Sequence, residues 1–375
     1  MSGHEIELPS GEAPRDPEEL EAGAARHPPE LPASTTLGPV HLTVSDLRRS
    51  IDYYTGAIGL EILEQDDGGA AVGTPERILL VLVEETRARP AHGCTGLYHF
   101  ALLVPRRVDL ARWLAHAARD RVPLTGLSDH FVSEALYLGD PDGHGIEIYA
   151  DRPRDLWEGR VDRELTTAPL DVDSLLRELP DPASEPFDGL PAGTVMGHVH
   201  LKVATIPEAV SFYRDALGFG LMAQLGRQAA FLSAGGYHHH IGANTWESAG
   251  APPPPRGAAA LRHATIGLPG EAERGRLVER LRESGRPIHE DEAVAEEGRS
   301  LLAVGVAAVE GRFEAGEAVE LAGPDGAPFA KGVASAAAAE IGLPLYVPVC
   351  ATYPAAVRTE AVSYTHLTLP TICSV

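Results

Sequence analysis

Histidine is the residue type that stands out: the chain has 16, and several open short apolar runs. Tyr98-His-Phe-Ala-Leu-Leu-Val104, Gly197-His-Val-His-Leu-Lys-Val203 and Arg262-His-Ala-Thr-Ile-Gly-Leu268 each place one at the second position, as His99, His198 and His263. Gly38-Pro-Val-His-Leu-Thr-Val44 has Pro39 in that slot, and its His41 matches His200. A neutral imidazole is a base near neutral pH and a common metal ligand. A histidine opening a buried strand can equally be a hydrogen-bonded core residue, and both readings stand for these positions. Glu147 lies in the apolar run Gly145–Tyr149, with His130, Tyr137 and Tyr149 on neighbouring runs. A phenol beside that carboxylate can bind a substrate oxygen, which makes Tyr137 a catalytic candidate; Tyr149 reads as packing. His238, His239 and His240 are consecutive within Tyr237–Gly242. On a strand, His238 and His240 share one face and His239 takes the other. His240 or His238 is therefore an acid/base candidate, or part of a hydrogen-bonded strand end. His144, in the turn Asp140-Pro-Asp-Gly-His, reads as exposed.

These residues need elements to hold them, and internal repetition supplies the plan. The separation between Gly38 and Gly197 also pairs Tyr54 with Tyr213 and Gly59 with Gly218. Each block reads as a strand and an amphipathic helix that stops at a glycine, where a left-handed residue is needed. Two more blocks open at Tyr98 and Arg262, with helices expected around Asp109–Arg119 and Glu271–Glu283. Strands are expected at Arg77–Val83, Glu134–Leu138, Gly145–Tyr149 and Tyr237–Gly242. The outcome is four βαβββ units in two pairs, joined by the Pro-rich connector Asp151–Ala192 with one short helix at Val172–Glu178.

Composition narrows the function. The net charge is −23, and Lys202 and Lys331 are the chain's two lysines, which argues against a general nucleic-acid binder. Cys94, Cys350 and Cys373 are too far apart for a disulfide framework or a cysteine-built zinc site, and they suit a reducing cytoplasm. The sequence has no apolar run long enough to span a membrane, and no secretory signal opens it. Ala234-Gly-Gly236 lacks the Lys-Ser/Thr of a phosphate loop. Small-molecule chemistry in the cytoplasm is the expectation.

Paired βαβββ units that open on a His-bearing strand resemble the vicinal oxygen chelate superfamily of glyoxalases, bleomycin-resistance proteins and extradiol dioxygenases. GLYHFALLVP, VSEALYLGDPDGHGIEIYADRPRDLW, GHVHLKV and SAGGYHHHIGANTW most resemble its two-domain catechol-2,3-dioxygenase-like members, over roughly residues 37–292. The resemblance implies an α+β fold with two vicinal-oxygen-chelate domains, at 38–150 and 193–297, around a linker at 151–192. Residues 1–37 read as a disordered acidic arm. In this superfamily the second strand position carries a metal-binding His, and a late strand carries a carboxylate ligand. The resemblance thus implies His99, Glu147 and His198 as a 2-His-1-carboxylate set shared by units two and three, with His200 and His263 as rivals. The implied cofactor is Fe(II), and the implied partners are a small aromatic diol and O2. Other members imply Zn²⁺, Ni²⁺ or Mn²⁺ in a glyoxalase or isomerase, or a metal-free drug-sequestering protein.

Ser300–Ile341 resembles the C-terminal PUA domain of glutamate 5-kinase, placing a β-rich fragment at 298–345 where the fourth unit still needs strands. The second domain is therefore expected to be truncated, and its exposed edge to favour a homo-oligomer. This segment contains one lysine and one arginine, Lys331 and Arg312, so RNA binding is not the expectation. Val362–Thr371 resembles a translated transposase sequencing adaptor, which implies an artefactual tail at 346–375 and a chimeric reading frame.

Overall fold

The computed structural model describes residues 30–283, 300–302, 318–322 and 328–333. Unit one holds β1 (Thr36–Val44), the helix Leu47–Tyr53, β2 (Glu61–Gln65), β3 (Gly69–Thr74) and β4 (Arg77–Glu84), followed by the two-residue β5 (Arg89–Pro90). Unit two holds β6 (Gly96–Leu103), the helix Arg107–Asp120, β7 (Gly126–Asp129), β8 (Ser133–Gly139) and β9 (Gly145–Asp151). The connector carries β10 (Ala168–Pro169) and the helix Val172–Leu176. Unit three holds β11 (Val195–Lys202), the helix Ile206–Val210, β12 (Gly220–Leu225), β13 (Ala229–Ser233) and β14 (Ile241–Asn244), followed by β15 (Ala258–Ala259). Unit four shows β16 (Leu261–Leu268), the helix Glu271–Glu283 and β17 (Ser300–Leu302). A hairpin of β18 (Ala318–Ala322) and β19 (Pro328–Val333) lies within the PUA-like stretch.

Units two and three share one nine-stranded sheet, ordered β10-β7-β8-β9-β6-β11-β14-β13-β12. Units one and four share another, ordered β17-β16-β1-β4-β3-β2. The sheets thus join neighbours across the chain halves, through β6 against β11 and β1 against β16, both antiparallel. One continuous apolar core underlies both and includes Tyr54, Phe100, Trp113, Tyr213 and Phe219.

Local chemistry explains the repeats. The Asp46 side chain accepts the Arg49 N–H and Thr205 accepts the Glu208 N–H, caps that stabilise a helix start by about 1 kcal/mol each. The first and third helices widen over Tyr54–Ile58 and Ser211–Ala216, and the chain turns at Gly59 and Gly218, with φ of 88° and 90°. A side chain there would be strained.

The fold corrects three expectations. Order begins before Gly38: Leu31 and Thr35 are buried, and the Leu31 N–H donates to the Gly218 carbonyl at 2.8 Å. The disordered-arm reading thus fails for residues 30–37, and the rest of that arm lies outside the described residues. The connector is a packed strap, with Trp157, Leu175, Leu179 and Leu190 buried, and Arg107 reaches from unit two to Glu178 at 2.8 Å. His144 is buried and its Nε2–H donates to the Thr43 carbonyl at 3.0 Å. Beside it, Asp140 receives the Tyr54 hydroxyl at 2.9 Å, and Asp142 receives Ser45 and Arg49. This turn is a clasp between units one and two. The tail at 346–375 lies outside the described residues, and among those described no helix is long and apolar enough to cross a membrane.

In the sheet of units one and four, His41 stacks on His263 at 3.9 Å between ring centroids. Burial, and then the nearby Arg262 guanidinium, push the His41 imidazole down to about 3. The unfolded chain protonates this group near 6.5 while the folded protein does not, so its contribution to stability is complete above 6.5 and is lost as pH falls towards 3. One such proton changes stability by about 1.4 kcal/mol per pH unit. Unfolding free energies from denaturant melts at pH 7 and pH 5 are expected to lie about 2 kcal/mol closer together in a His41→Gln variant; an unchanged pH slope would contradict the assignment.

Candidate metal centre

Strand register sets the geometry of the cup. His198 on β11 pairs with Ala101 on β6, and Ala101 pairs with Glu147 on β9. The three form one row across the sheet, with the smallest side chain in the middle. His99 lies two residues from Ala101 on β6 and so points to the same face. Side chains of His198 and Glu147 lean over Ala101 and meet: His198 Nε2 lies 3.0 Å from Glu147 Oε2. His99 Nε2 lies 3.0 Å from the same oxygen. One donor atom from each residue falls within 4.8 Å of the others, and all three side chains are buried.

The face is set by a bulge. β11 steps by two residues from Met196 to His198 while β6 steps by one from Leu102 to Ala101. Without that step His198 would face Phe100 and the core. Gly197 is the extra residue, and a Cβ there would lie 1.8 Å from the Tyr149 hydroxyl. Tyr149 packs as expected, fully buried, its ring centroid 4.9 Å from that of His198 and its hydroxyl bonded to Tyr237 at 2.8 Å.

Electrostatics suit a cation. Burial alone would raise the Glu147 carboxyl, but His198 and then His99 outweigh it and hold the group well below the usual carboxylate range. Burial lowers His198 against the pull of Glu147. The state this favours is a Glu147 carboxylate facing a neutral His198. His99 Nε2 is buried and has no aligned hydrogen-bond partner, although a carboxylate oxygen is 3.0 Å away. Either an Nε2–H or a cation bound by both atoms accounts for that approach. Neighbouring donors about 2.1 Å from a divalent ion stand about 3 Å apart, which is the separation of Glu147 Oε2 from each imidazole.

The other candidates take separate places. His200 pairs with His99 in register, with ring centroids 5.0 Å apart, and its buried Nε2 has no hydrogen-bond partner. It stands beside the trio rather than in it. His263 is in the other sheet, against His41. Tyr137 pairs with Glu147 across β8 and β9, shares a hydrogen bond with His130 Nε2 at 2.7 Å, and has its ring centroid 5.5 Å from that of His99.

The triple histidine corrects the strand expectation. β13 ends at Ser233 and β14 starts at Ile241, so His238, His239 and His240 lie in the loop between them, where alternation does not apply. His240 turns its Nδ1 to the Ala234 N–H at 3.2 Å and to the Ser233 hydroxyl at 3.0 Å. His238 Nε2 lies 2.9 Å from Asp151 Oδ1, and the His238 and His239 Nδ1 atoms are 2.8 Å apart. The ring nearest His198 belongs to His239, at 4.1 Å between centroids. Sequence reasoning passed over His239 because it assumed a strand.

Comparison with known proteins follows from this arrangement. The family profile of the glyoxalase/bleomycin resistance protein/dioxygenase superfamily matches residues 36–148 and 195–312. The chain belongs to this superfamily. It is 43% identical over 266 residues to a catechol-2,3-dioxygenase of Bacillus subtilis, covering 69% of this chain and 91% of that protein. Homology of this extent makes the protein an oxidoreductase of the ring-cleaving dioxygenase class. Among solved structures, glyoxalase I from Zea mays aligns at a TM-score of 0.41 and 17% identity, over 69% of this chain and 83% of that one. A PUA domain profile matches residues 291–343. The glutamate 5-kinase of Trichlorobacter lovleyi is 42% identical over 66 residues, 17% of this chain and 18% of the kinase.

For a superfamily member, the space over Ala101 is the test of the metal reading. Ala101→Leu puts a branched side chain between His198 and Glu147. The variant is expected to keep its far-UV circular dichroism and lose bound iron to below about one tenth of an equivalent. Full iron retention would show that the three side chains do not need that gap.

Proposed function

We propose that this superfamily member is an extradiol dioxygenase that opens the ring of a catechol-type diol with O2, using Fe(II) held by His99, Glu147 and His198. The convergence of two buried imidazoles on one buried carboxylate oxygen supports this reading most directly. Three protein ligands on one side leave the other side for substrate. A ferrous ion held there supplies a centre through which diol and O2 can exchange electrons.

The chain's own residues do the remaining work. Phe231 and Tyr98 border His200 with apolar ring surface, which keeps water from the diol. Tyr137, shielded from ionising by burial and by Glu147, keeps its proton and can donate to a substrate oxygen. His239, whose ring centroid lies 4.1 Å from that of His198, is placed to take a diol proton at Nε2, because its Nδ1 faces His238. His238 and Asp151 continue that line towards the surface, where the Asp151 side chain is 24% exposed. His240, turned to Ser233 and Ala234, holds the loop in place.

Anaerobic loading with Fe(II), then catechol and air, is expected to give a yellow ring-cleavage product and oxygen uptake. Glu147→Gln should abolish both and release the iron. His239→Asn should keep the iron and lower kcat by roughly 10²–10⁴-fold, the usual effect of losing a positioned general base. Bound iron without oxygen uptake in the wild-type protein would overturn the reading, as would full activity in Glu147→Gln.

A further inference from the structure

The chain's three tryptophans differ in exposure: Trp113 and Trp157 are buried, whereas Trp246 is 49% exposed. Trp246 opens the turn after β14, and its backbone N–H is held by Asn244 Oδ1 at 3.3 Å. Its ring meets Tyr98 edge-on at 5.4 Å between centroids, and His200 at 5.6 Å. Tyr98 in turn lies 5.3 Å from both His99 and His200. Aromatic surface thus runs unbroken from the metal-binding trio to an exposed indole. A large aromatic ring left in water gains when an apolar group covers it, by about 25 cal/mol per Å².

The more exposed charge at this rim is a carboxylate. Glu247 follows Trp246, with its side chain 66% exposed, and Lys202 Nζ stands 4.0 Å from its carboxylate. The lysine is therefore already engaged. An anionic ring substituent at this rim would meet the exposed Glu247 carboxylate, with the neighbouring Lys202 already paired to it.

We infer that Trp246, supported by Tyr98, determines substrate choice by clamping an uncharged apolar substituent on the ring of the diol, and that it disfavours carboxylated diols. This rests on the proposed ring cleavage. It makes Trp246 a specificity-determining residue that touches the substituent and leaves the reacting oxygens to the trio.

The test uses the full chain loaded with Fe(II) and three substrates: catechol, 4-methylcatechol and 3,4-dihydroxybenzoate. Wild-type kcat/KM should rank 4-methylcatechol first and the carboxylated diol last. Trp246→Ala should raise the KM for 4-methylcatechol about tenfold with kcat little changed, the scale of one lost aromatic contact. Trp246→Phe should restore most of it, and kcat/KM for unsubstituted catechol should move less than threefold. A second readout is independent of turnover. Anaerobic titration with 4-methylcatechol should quench the exposed indole in the wild type but not in Trp246→Phe. An active enzyme whose substrate ranking and quenching survive Trp246→Ala would overturn this inference alone. A wild-type protein that takes up iron, shows quenching and cleaves none of the three would overturn the ring-cleavage reading instead.

Discussion

The antiparallel seam between β6 and β11 is the constraint on which the rest depends. Seven residue pairs join the strands, from Val195 against Leu103 to Lys202 against Gly96. Two irregularities interrupt them, one at Gly197 on β11 and one at Tyr98 on β6. Between these, His198, His200, His99 and Ala101 face the cup, while Val199 and Phe100 face the core. A slip of one residue would exchange the two sets and bury imidazoles among aliphatic side chains. Loss of the Gly197 step has the same effect on His198 alone. The seam joins units two and three, whose connector must run from the end of β9 to the start of β11. Its buried Trp157, Leu175 and Leu179 show that it does so as packed structure.

The second sheet repeats this plan without the chemistry. β1 and β16 pair antiparallel, with a register shift over Gly38 and Pro39, where β11 has Gly197 and His198. His41 and His263 face each other as His200 and His99 do. The proline supplies the extended backbone that an irregular step needs, but it has no imidazole. Here two histidines stack flat on each other, whereas the corresponding pair in the equipped sheet meets edge-on. The same backbone device therefore serves one sheet as a scaffold and the other as a scaffold with a ligand attached.

Much of this plan is legible in the sequence because repetition and glycine chemistry are local signals. The pairing of Gly38 with Gly197 and of Gly59 with Gly218 marks units whose helices and turns appear where expected; the helix at Glu271–Glu283 falls on its expected bounds. The candidate trio is legible through residue type, since units two and three carry the two histidines and the glutamate. What is not legible depends on packing. A run of three histidines next to Ile241 looks like a strand until the hydrogen bonds of Asp151 and Ser233 hold it in a loop. The turn holding His144 has the composition of a surface loop, and only the neighbouring unit, through Tyr54, Ser45 and Thr43, buries it. Trp246 and Tyr98 lie far apart in the chain and gain meaning only from their contact.

The charge balance of the cup links its stability to its proposed chemistry. Buried imidazoles are tolerable there because each stays neutral: His198, His200 and His239 are all held down by burial. Within the trio this leaves the Glu147 carboxylate as the uncompensated charge. A single buried anion is costly unless paired. A divalent ion reverses the imbalance and leaves about one unit of positive charge, which suits a diol that has given up one proton. On the proposed reading that proton goes to His239, whose ring centroid lies 4.1 Å from that of His198.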